Sequence, residues 1–162
     1  GALPGEEFCY GQALDWEVVE NEWERLVREH RGESLERHTL GLLAFCYHAR
    51  LRGWQVDLLP QVAANLKPDT LVEKNGELAY VEFEVRPHAK LDKWRKCYAL
   101  QGFAAIATFT PSLRAGFVQE CLDIRSPVQA TDLQSLAQAA HGVNPGPLWL
   151  EKVGRINRVR AW

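Results

Sequence analysis

The chain has 162 residues and a mass of 18.4 kDa, with 46% hydrophobic and 25% charged residues, as expected of one soluble globular domain. This composition excludes collagen-like, disordered and disulfide-framework classes, and the uncharged run from Cys97 to Leu113 is too short and too polar to span a bilayer. No apolar stretch follows a basic amino terminus and Met is absent, so the expectation is a cytoplasmic protein, processed or excised from something longer.

Charge is unevenly placed. Residues 1–36 hold ten Asp/Glu against three Arg, a net of −7, and the rest of the chain carries a net of +5. Ala13 to His30 is acidic, with Leu14, Trp16, Val18, Trp23 and Leu26 near helical spacing, and predicts a helix packed on one stripe. Glu33 to Arg52 predicts a second helix, ended by Gly53. Trp54 to Leu59 reads as a short strand stopped by Pro60.

Thr70 to Lys74 is strand-like, and Asn75-Gly76 signals a type I′ hairpin. Leu78 to Arg86 is the returning strand, closed by Pro87. Ala89 to Gln101 reads as a helix, Phe103 to Phe109 as a buried strand, and Pro111 to Leu122 as a helix. Val128 to Ala130 is a further short strand. Thr131 and Gln134 form a capping box for a helix reaching Ala140, and Leu148-Trp149-Leu150 reads as an edge strand. A hairpin followed by strand–helix–strand crossovers predicts one α/β domain over residues 1–162: a mixed sheet with helices on both faces and the acidic helix (about 13–30) packed on it.

The four cysteines (Cys9, Cys46, Cys97, Cys121) are far apart, with no C-x-x-C. Cys46 and His48 lack a second ligand pair for zinc, so buried thiols are expected. No phosphate-cradling glycine loop and no acyl-transfer nucleophile motif occurs.

The chemistry concentrates around the hairpin. Alternation puts Val81, Phe83 and Val85 on one face of the returning strand, with Tyr80, Glu82, Glu84 and Arg86 on the other. Asp69 lies across the turn, just before the first strand. Three such carboxylates suit Mg²⁺ or Mn²⁺, which take one or two carboxylates with waters and a phosphate. A solvent-facing strand with Glu82 or Glu84 paired to Arg86 is the alternative reading.

The string Lys67-Pro68-Asp69, a strand, a tight turn, then Glu82-Phe83-Glu84-Val85-Arg86 resembles the PD-(D/E)XK nuclease superfamily, of restriction-endonuclease-like fold. In that motif an Asp opens one strand, and an acidic residue and a Lys occupy alternate positions on the next. Asp69 matches the Asp. Glu84 matches the acidic position with Arg86 in place of Lys; a register two residues earlier uses Glu82, with Glu84 in place of Lys. Arg37-His38-Thr39-Leu40, the Lys93–Tyr98 segment and Ile106 to Ser112 further resemble the replication-relaxation family of mobile elements, over roughly residues 37–125.

The resemblance implies a metal-dependent DNA endonuclease hydrolysing phosphodiester bonds, with Mg²⁺ or Mn²⁺ as cofactor. Asp69, Glu82 and Glu84 would be metal ligands, and Arg86 would join them as a catalytic residue. Glu36 and His38 are candidate supports from the preceding helix, although a solvated helix start and a structural histidine explain them too. Lys90, Lys93 and Lys96 recur every three residues, and with Arg155 and Arg158 could contact DNA phosphates; a solvated face explains them equally. A catalytically inactive DNA-binding module of the same fold, or a protein-interaction domain, is the alternative. The expected partners are DNA and either a second copy or the remainder of a longer protein, and no membrane.

Overall fold

Asn75 and Gly76 both take positive φ, 52° and 83°, as a type I′ turn requires, and they join the two strands on which the candidate carboxylates sit. The computed structural model describes residues 35–58, 68–87, 103–123 and 125–153 of the chain. In chain order these form α1 (Leu35–Leu51), β1 (Gln55–Leu58), β2 (Thr70–Lys74), β3 (Glu77–Phe83), β4 (Phe103–Thr108), α2 (Pro111–Asp123), β5 (Val128–Asp132), α3 (Leu133–Ala140) and β6 (Glu151–Val153). The expected helices over 13–30 and 89–101 lie outside the described residues.

The six strands make one mixed, open sheet in sequential order, β1 to β6. β1, β2 and β3 form an antiparallel meander; β4 and β5 run parallel to β3, and β6 returns antiparallel to β5. The α/β class read from the sequence is therefore observed. The carboxyl ends of β1, β3, β4 and β5 and the amino end of β2 share one edge, the edge that carries Asp69.

Alternation along β3 divides the core in two. Ala79, Val81 and Phe83 join Leu42, Leu43 and Phe45 of α1 and Leu133 and Leu136 of α3 in the larger cluster. Tyr80 and Ile106 join Phe117 and Cys121 of α2 in the smaller one. Cys46 and Cys121 are buried cysteines outside any disulfide, and burial pushes the Cys121 thiol up to about 12. α1 is buried at every position from Gly41 to Cys46, as a helix packed centrally on the sheet must be. It ends in a Schellman motif: Gly53 at φ 85° donates its N–H to Arg50 O (3.0 Å), and Trp54 N–H donates to Ala49 O (3.0 Å).

Three expected boundaries are corrected. β3 stops at Phe83 rather than Arg86, because Glu84 N–H makes a last bond to Ala107 O (2.9 Å) and the chain then bends away at Arg86. The cap of α3 is Asp132, not Thr131: Asp132 Oδ1 accepts from Ser135 N–H at 2.7 Å, while Thr131 remains in β5. Leu148 and Trp149 are not strand residues. They fill the larger cluster, and the edge strand begins three residues later at Glu151. No helix among the described residues is long and apolar enough to cross a membrane.

Candidate functional site

The first element of the site is an interaction that replaces part of the β2–β3 ladder. Asp69 stands one residue before β2, and its Oδ2 accepts the backbone N–H of Phe83 at 2.8 Å. The same oxygen accepts a hydrogen bond from His38 Nε2 at 3.0 Å. Both partners are largely buried, with side-chain exposures of 18% for His38 and 10% for Asp69. Pro68 before Asp69 favours the extended conformation that feeds the strand. α1 delivers His38 to the sheet edge, where its ring also meets Phe83 edge-on at 6.3 Å.

The hairpin register supplies the second carboxylate. Thr70, the residue after Asp69, pairs with Val81, the residue before Glu82. Glu82 is only 5% exposed, a burial that a carboxylate tolerates only with compensating interactions. Glu84 follows just beyond the strand and is half-buried, and its carbonyl accepts from Thr108 Oγ1 at 2.7 Å. That bond ties the ends of β3 and β4 together beneath the carboxylates. Arg86 is exposed, past the end of the strand. The expected row of Glu82, Glu84 and Arg86 along one strand face is thus corrected, because the pleat ends with Phe83 and Glu84.

A cation absent from the sequence-derived candidates precedes His38 on α1. Arg37, one residue before His38, holds its guanidinium 5.3 Å from the centroid of the Phe109 ring, just after β4. The signal for it was its place in the Arg37-His38 pair, but only the packing of α1 across the sheet links it to Phe109. Among the expected residues, the structure joins His38 directly to Asp69. Glu36 lies in the first turn of α1, and its side chain is outside the described residues. Lys90, Lys93, Lys96, Arg155 and Arg158 also lie outside them.

The donor set of this edge is hard oxygen, chemically matched to Mg²⁺ or Mn²⁺, ions that need only one or two protein carboxylates. Among the described residues no group of three or more His, Cys, Asp or Glu side chains is placed to hold a metal ion.

No family model, curated protein or solved structure matches the chain.

Proposed function

We propose that this domain acts on DNA as a metal-dependent endonuclease of PD-(D/E)XK type that hydrolyses phosphodiester bonds in the processing of a mobile element. The observation that carries the reading is that the Asp69 carboxylate is held at the end of β3 by Phe83 N–H, with Glu82 and Glu84 on either side of Phe83 in the chain. The burial of Glu82 favours it as the acidic motif position, with Glu84 in the place of the motif lysine. A meander followed by parallel strands, with one apolar cluster on each set of alternate β3 residues, agrees with the restriction-endonuclease-like layering of helices on both faces.

Asp69 and Glu82 would hold Mg²⁺ or Mn²⁺, with Glu84 as a further ligand or proton acceptor. When bound, such an ion lowers the pKa of water and neutralises charge on the phosphate. His38 holds the Asp69 carboxylate in one orientation through a 3.0 Å bond. Glu84 orients the attacking water and accepts its proton. The guanidinium groups of Arg86 and Arg37 would serve as phosphate clamps and not as bases. Lys90, Lys93, Lys96, Arg155 and Arg158 would extend the grip along the DNA backbone.

Nicking of supercoiled DNA by the purified chain tests the reading. Mg²⁺- or Mn²⁺-dependent nicking is expected, and it should vanish in Asp69→Ala and Glu82→Gln. One observation favours the inactive DNA-binding module instead: the motif lysine is replaced by Glu84 or by an exposed arginine. Salt-sensitive DNA binding without cleavage in either metal would establish that module.

A further inference from the structure

Glu84 is the first residue beyond β3, and both of its main-chain groups are held from β4. Its N–H donates to Ala107 O at 2.9 Å, and its C=O accepts from Thr108 Oγ1 at 2.7 Å. The pairing of β3 with β4 ends at Phe83 and Ala107, so the second bond lies outside the ladder. In a continued parallel ladder that carbonyl would take the N–H of Phe109. A side-chain hydroxyl stands in its place, and Phe109 O accepts instead from Gln134 N–H at 3.1 Å.

Thr108 is 0% exposed and is the last residue of β4, whose other residues are all apolar. Valine has nearly the shape of threonine and would fill this place without a hydroxyl that must find a partner. The partner it has is the backbone of a candidate site residue. Beyond Glu84 the chain leaves the sheet and bends at Arg86, so the hydroxyl is what keeps the Glu84 carbonyl on β4. A carboxylate that takes a proton from water must stand within hydrogen-bond reach of it, and a small displacement slows such a step. We propose that Thr108 is a positioning residue, which holds Glu84 at the end of β3 so that its carboxylate faces the attacking water. The inference rests on the reading of this edge as a nuclease site, in which Glu84 orients that water and accepts its proton.

Two substitutions separate the hydroxyl from its volume. Thr108→Val removes the donor and keeps the shape, and Thr108→Ser keeps the donor and removes a methyl; Thr108→Ala replaces the first if it does not fold. Amide exchange in the whole chain, followed by NMR, should be about fivefold faster at Glu84 in Thr108→Val, the equivalent of one ordinary hydrogen bond. Thr108→Ser should exchange there at close to the parent rate. Phe45, in the middle of α1, should exchange alike in all three, which marks the change as local. Single-turnover nicking with Mn²⁺ should be at least about fivefold slower in Thr108→Val at unchanged DNA affinity, and Thr108→Ser should restore it. Unchanged exchange at Glu84 in Thr108→Val overturns the proposal, and so does equal slowing of nicking in both variants. A parent chain that nicks, with Thr108→Val at the parent rate, overturns this role alone. A parent chain without metal-dependent nicking overturns the nuclease reading, and this role with it.

Discussion

Gly41 sits directly beneath the Phe83 ring: a Cβ built on it would come within 2.1 Å of Cε1 and 2.3 Å of Cζ. This close approach lets α1 lie on the end of β3 and deliver His38 to Asp69. Gly41→Ala would gain up to about 1 kcal/mol of helix propensity. Overpacking of a filled core removes about 1–3 kcal/mol, and the nearby Phe109 ring limits retreat of Phe83. A net loss of stability is expected in urea unfolding, and Phe83→Leu should recover part of it in the double variant. Stability at or above that of the parent in Gly41→Ala would show that the ring yields freely.

The His38–Asp69 contact predicts an effect that reaches the chemistry. Removing a hydrogen bond to a buried carboxylate lowers stability by about 1.5–3 kcal/mol. His38→Ala should show that loss by urea unfolding, and His38→Gln should show less. If the edge is a nuclease site, His38→Ala should also reduce nicking while sparing DNA affinity, as expected of a positioning residue. Equal stability of both variants and the parent would assign His38 no part in holding Asp69.

His48 predicts a pH dependence. Burial, and then the Arg52 charge, lower its pKa from 6.5 to about 4. The unfolded chain therefore binds more protons than the folded one between these values, and stability falls as pH drops from 6.5 toward 4. The full effect is about 3 kcal/mol, since one pKa unit corresponds to 1.36 kcal/mol. His48→Gln should flatten that part of the stability profile. An unchanged slope below pH 6.5 would place the acid sensitivity elsewhere.

Arg114 is the cation for a fully buried acid. It donates through Nη1 to Asp132 Oδ2 and through Nε to Glu151 Oε1 at 2.9 Å. Asp132 side-chain exposure is 0%, so Arg114→Ala leaves a buried carboxylate without its cation, a loss on the order of 3 kcal/mol. Glu151→Gln removes only a half-buried partner and should cost less than about 1 kcal/mol. Thermal unfolding of the two variants should rank them in that order; reversal would mean that the Asp132 cap stands without arginine.

The hairpin and the parallel strands were legible because their signals are local: alternation, Asn75-Gly76, and an apolar run at β4. The end of β3 was not. Pro87 marks an obvious stop, but Asp69 captures the Phe83 N–H and the strand ends before it. That contact joins residues 14 apart, and His38 reaches Asp69 across 31. No sequence window contains both. Leu148 and Trp149 misled in another way, because an apolar pair followed by Leu150 suits an edge strand as well as a core plug. Arg52 lay four residues after His48, a helical spacing that could have flagged the pair, but the carbonyls that hold it come from Leu136 and Pro145.

The reach of Arg114 from α2 to the α3 cap and to β6 also sets how the sheet opens. β6 has three residues and bonds to a single neighbour, so alone it would fray at little energetic expense. Tied through Glu151 to the arginine that serves Asp132, it detaches only by loosening the α3 cap as well. The amides of β6 and of the first turn of α3 should therefore exchange with solvent as one unit, slower than an edge of three residues would by itself.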